Sequence, residues 1–117
     1  MAINSKQKGK RGELEACKAL ETILNISHRR SVQYCGKAGD ADIIGLKGIH
    51  FEVKRSEKMN LYEALSQAVK DAKNDDIPVV MHRKNNKDWV LVLKAENIVD
   101  FALVVHKALF GDSSTIQ

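Results

Sequence analysis

The chain has 117 residues, enough for one domain around a single core. With 44% apolar residues, one proline and no apolar run near the roughly 18 residues of a membrane span, it is expected to be ordered, globular and free of transmembrane segments. A balance of 19 Lys+Arg against 15 Asp+Glu gives +4, which suits a polyanion partner without requiring one.

In chain order, residues 1–9 form a basic N-terminal arm, 10–110 a single domain and 111–117 a loose tail. The start lacks the apolar stretch of a secretory signal, so a cytoplasmic location is expected. Helical periodicity runs from about 10 to 26, followed by a strand at 29–34, a loop from Cys35 to Gly39, and strands near 40–45 and 49–55. Asn60 is placed to cap a second helix reaching about 74, with Leu61, Leu65, Ala68 and Ala72 as its core stripe. Pro78–Met81 and Trp89–Leu93 predict a hairpin across Arg83–Asp88, and Ala95–Phe110 a last helix. The order αβββαββα predicts an α/β (α+β) domain with a mixed central sheet flanked by helices. Cys17 and Cys35 lack CxxC spacing, and the four histidines are scattered singly, so reduced thiols and no zinc site are expected.

Three acids and a lysine stand in positions that burial disfavours. On a helical wheel Glu13 falls near the centre of the arc formed by Cys17, Leu20 and Leu24, whereas Glu15 points to the polar side as an ordinary solvated residue. Along the 49–55 strand, Glu52 and Lys54 share one face and Phe51 and Val53 the other. A turn centred on Lys47 sets Asp42 directly opposite Glu52, about 5 Å away, and Asp40 opposite Lys54. Two carboxylates that close repel, and burial adds a desolvation cost, unless a cation lies between them. Mg2+ takes such oxygen ligands and is commonly completed by phosphate oxygens. The alternative is a Lys54–Asp40 salt bridge with Asp42 and Glu52 solvated on an open sheet face.

An acid in the first helix, Asp42 ahead of paired aliphatics, and Glu52-Val-Lys54 at strand spacing resemble the PD-(D/E)xK nuclease superfamily. KGKRGELEACKAL is similar to the first helix of archaeal Holliday-junction resolvases, and GDADIIG to a segment of the virus-type replication-repair (VRR-NUC) nucleases, a domain type often found in phages. The resemblance implies a restriction-endonuclease-like αβββαβ core with an added C-terminal helix. It implies metal ligation by Glu13, Asp42, Glu52 and the Val53 carbonyl, and catalytic roles for these three acids, Lys54 and Gln67. On the wheel Gln67 lies off the core stripe, which leaves a solvated residue as its alternative. Ala41 stands where the superfamily name has proline, and Asp40 leaves open which aspartate ligates.

The implied activity is Mg2+-dependent endodeoxyribonuclease chemistry, with Mn2+ as a substitute, leaving 5'-phosphate and 3'-hydroxyl ends. DNA phosphates would be held by Lys8, Lys10, Arg11, Arg29, Arg30, Lys37, Arg55 and Lys58. No motif for reading bases is visible, so structure-selective cleavage is expected, resolvase-like on branched or four-way DNA. A nickase, flap or other repair nuclease and a noncatalytic DNA-binding module are the alternatives. The last helix spreads Ile98, Phe101, Ala102, Val104, Val105, Ala108 and Leu109 over more than half its circumference. Either it is tucked between the sheet and the first helix, or a second subunit covers it in a homodimer.

Overall fold

A computed structural model describes residues 5–30, 42–73 and 75–111. Helix α1 (Ser5–Leu24) begins five residues before the expected start, inside the segment expected to be an arm. Its inner face is small and apolar, with Ala16, Cys17 and Leu20 buried. It ends at Asn25, which adopts φ 57° and donates its N–H to the Glu21 carbonyl at 2.8 Å, a left-handed cap that asparagine tolerates.

Strands β1 (Arg29–Arg30), β2 (Ile43–Ile44), β3 (Ile49–Arg55), β4 (Ile77–Arg83) and β5 (Val90–Val92) form one sheet in the order β1-β2-β3-β4-β5. β3 and β4 are parallel and joined by α2 (Leu61–Asp71); every other pairing is antiparallel. This is the expected mixed sheet with flanking helices, an α+β architecture. The predicted strand at 29–34 is described only through Arg30, and Gly39, Asp40, Ala41 and the loop from Cys35 lie outside the described residues. In the β2–β3 hairpin Ile43 pairs with Phe51, which makes Lys47 the centre of the turn, and Gly48 there takes φ 99°.

The two central strands carry the core. On one face Phe51, Val79 and Met81 pack with Ile43 against Ala16, Cys17 and Leu20 of α1. On the other, Val80 packs against Ala64 and Ala68 of α2. Of the expected stripe, Ala68 is buried and Leu65 packs beside it, but Ala64 takes the central place and Leu61, expected in the core, is 41% exposed. Two alanines one turn apart let the helix lie close to the strands, and that contact sets its rotation over the larger but off-centre leucines. Asn60 caps α2 as expected, its side chain accepting the Glu63 N–H at 3.0 Å.

After β5, a 3-10 turn (Ala95–Asn97) leads into α3 (Ile98–Phe110). Phe101, Val104 and Val105 pack against the α1-side core. The opposite side is bare: Val99, Leu103 and Phe110 are 67%, 58% and 70% exposed. No described helix is long and apolar enough to cross a membrane.

Candidate active site

The site is built where β2 enters the sheet beside β3. Just ahead of the Ile43–Phe51 pair, Asp42 donates its N–H to the Phe51 carbonyl at 2.9 Å, which anchors it beside β3. Asp42 Oδ2 accepts the Val53 N–H at 2.7 Å. Burial pushes the Asp42 carboxyl up to about 7, the charge of Glu52 adds to the rise, and the Val53 N–H opposes it. Glu13 contributes a smaller rise, and Lys54 a still smaller lowering. The acids are therefore neighbours in an electrostatic sense, and the nearby ammonium does not balance them.

Strand alternation sets the rest. Glu52 is in register with Val80, which packs on α2, so Glu52 and Lys54 line the α2 side of β3. Glu52 is buried, and its Oε1 lies at hydrogen-bond distance, 2.9 Å, from His50 Nε2. Lys54 opens into a cleft of about 390 Å³ shared with Ser56, Lys58, Met59, Asn60 and Gln67. Gln67 is exposed and donates to Asp71 Oδ2 at 2.8 Å, so it borders the cleft while engaged along its own helix.

Glu13 turns inward, with its side chain 20% exposed, but its Oε1 is held by Arg30 Nε of β1 at 2.7 Å. Burial, then the charge of Glu13, pushes the thiol of Cys17, one turn further along α1, upward. Among the described residues no three His, Cys, Asp or Glu side chains converge closely enough to hold a metal ion.

Glu15 departs from expectation. It accepts from Arg55 Nε at 3.1 Å and from Arg83 Nη1, closing a cluster between α1 and the ends of β3 and β4. Arg55 also donates to the Arg83 carbonyl at 3.3 Å and to Asn85 Oδ1 at 3.0 Å. Arg55 and Arg30, both expected on the phosphate surface, are thus engaged in ion pairs. Lys10, Arg11, Arg29 and Lys58 are exposed. Lys37 and the Lys8 side chain lie outside the described residues. Nothing in the sequence pattern signals the Glu15–Arg83 pair, 68 residues apart. His50 was within reach of the period-2 argument that paired Glu52 with Lys54, because it precedes Glu52 by two on the same strand.

A mixed sheet with a helical crossover between its parallel pair, an acid entering β2 and an acid-x-lysine along β3 is a restriction-endonuclease-like arrangement. The chain belongs to the family described as "Phage putative PDDEXK endonuclease", whose model matches residues 4–117 and places it in the PD-(D/E)xK superfamily. No curated relative matches the chain. Nucleases of this superfamily generally use divalent metal ions. The donor set fits a hard one: Asp42 and Glu52 are half-buried and buried carboxylates, and burial and the Glu52 charge raise the cost of ionising Asp42, a conflict that a cation beside them removes.

Proposed function

We propose that this protein is a divalent-metal-dependent endodeoxyribonuclease that hydrolyses phosphodiester bonds in branched DNA, with a four-way junction as its preferred substrate. The observation that carries the chemistry is Asp42, raised to about 7 by burial and by the nearby Glu52 charge, beside a lysine that opens into a polar cleft. Asp42, Glu52 and the Val53 carbonyl would hold Mg2+ or Mn2+, with Glu13 joining on release from Arg30. When bound, the ion supplies Lewis-acid polarisation of the phosphoryl oxygen and a lowered pKa for water. Lys54, which lines the cleft, stabilises negative charge as it builds on the phosphate. Gln67, which borders the same cleft, would contact the substrate once released from Asp71. Exposed Lys10, Arg11, Arg29 and Lys58 supply nonspecific phosphate contacts, which weaken steeply with salt.

The choice of branched DNA rests on the resemblance to resolvases and on α3, whose bare apolar side suits a two-fold partner. Two active sites related by a two-fold axis match paired incisions across a symmetric junction.

Cleavage of a labelled four-way junction, nicked duplex, flap and single strand, with and without Mg2+, tests the proposal. Glu52→Ala and Lys54→Ala should each abolish cleavage while the chain still folds and binds DNA; wild-type rates in either would remove the assignment. The pairing of Glu13 with Arg30 favours one other reading, a noncatalytic DNA-binding module. That reading requires salt-sensitive binding with no cleavage of any substrate in Mg2+ or Mn2+.

A further inference from the structure

Behind Glu52 lies a buried histidine that the chemistry above does not use. His50 is 2% exposed, and its Nε2 lies 2.9 Å from Glu52 Oε1. A carboxylate that holds a metal ion is unprotonated and can only accept, so in that role Glu52 requires the hydrogen on His50 Nε2. His50, Glu52 and Lys54 occupy alternate positions of β3, so the three side chains stand in a row on one face, from the interior to the cleft. A buried donor held against one oxygen restricts the rotation of the carboxylate, and with it the direction of the second oxygen. Without that donor, Glu52 could swing about its terminal torsion, which is soft.

We propose that His50 is a positioning residue: its Nε2–H fixes the Glu52 carboxylate in the orientation that receives the divalent ion. The assignment rests on Glu52 being a metal ligand. Outer hydrogen-bond partners of this kind typically change metal affinity by about 10- to 100-fold.

Mn2+ affinity, measured by electron paramagnetic resonance on the full chain without DNA, tests this in four proteins: wild type, Glu52→Gln, His50→Leu and His50→Gln. His50→Leu should bind Mn2+ about 10- to 100-fold more weakly at a temperature where it is folded. His50→Gln, which presents an amide N–H near the place of Nε2, should return to within a few-fold of wild type. A folded His50→Leu with wild-type affinity overturns the proposal, as does an equal loss in the Leu and Gln variants, since the donor would then not matter. Wild-type affinity in Glu52→Gln, or no Mn2+ binding by the wild type, removes the ligand role of Glu52 and this proposal with it. Should both His50 variants fail to fold, long-range proton–nitrogen spectra of wild-type His50 decide: the Nε2–H tautomer supports the proposal and the Nδ1–H tautomer overturns it.

Discussion

Burial and the nearby Glu52 charge both drive Asp42 toward its protonated form, against one hydrogen bond from the Val53 N–H. The consequence for stability has a definite sign. In the native state Asp42 titrates at about 7 rather than its ordinary 3.8, so between those values the folded chain holds a proton that the unfolded chain has released. Stability in the absence of metal therefore falls as pH rises from about 4 to 7 and is flat in this respect above. Asp42→Asn keeps an acceptor for the Val53 N–H and removes the charge. Calorimetry without metal should give it a thermal midpoint several degrees above wild type at pH 8 and near wild type at pH 4. Adding Mg2+ at pH 8 should raise the wild type and leave the variant unmoved. An equal rise in both would place the ion elsewhere. The inward direction of Glu13 was legible from the wheel, because an acid centred among Cys17, Leu20 and Leu24 has nowhere else to point. Its capture by Arg30 was not, because that contact joins residues 17 apart through a sheet edge.

At the scale of elements, α1 is fastened to the sheet at the end where β3 and β4 finish. Glu15 holds Arg55 and Arg83 together, and Asn85 is tied back to Glu57 through its N–H at 2.6 Å, so the β4–β5 turn and the segment after Lys54 are cross-linked. The approach is close: a Cβ built on Gly12 would lie 2.7 Å from Arg55 Cβ. In an exposed helix, Gly→Ala stabilises by about 1 kcal/mol. Here Gly12→Ala should instead lower the thermal midpoint, because α1 must shift away from β3; a raised midpoint would show that the helix can yield. Removal of the Glu15 carboxylate should cost only on the order of 1 kcal/mol, since the side chain is more than a third exposed and its ion pairs are screened. The elements were legible from local patterns: alternation in β3, the Asn60 cap, the Asn85–Asn86 turn with Asn86 at φ 61°. The rotation of α2 was not, because it depends on which residues let two surfaces approach, and Ala64 and Ala68 outrank Leu61 only once Val80 lies beneath them.

At the scale of the molecule, α3 leaves Val99, Leu103 and Phe110 on one side, at spacings of four and seven, with Asp100 and Lys107 seven apart along one flank. Antiparallel packing of two copies would set each Asp100 near the other's Lys107 while covering the apolar stripe. Sedimentation at micromolar concentration should therefore give a dimer for the wild type and a folded monomer for Leu103→Glu with Phe110→Glu. A monomeric wild type would count against paired incision of junctions. By itself the sequence determined the order of elements, the β2–β3 register and the shared face of Glu52 and Lys54, because a period of two and a symmetric turn are local properties. Only the tertiary structure decided which charges are partnered. Arg30 with Glu13 and Glu15 with Arg55 and Arg83 are contacts between distant segments, and an ion pair is chosen by proximity in space, on which chain order is silent.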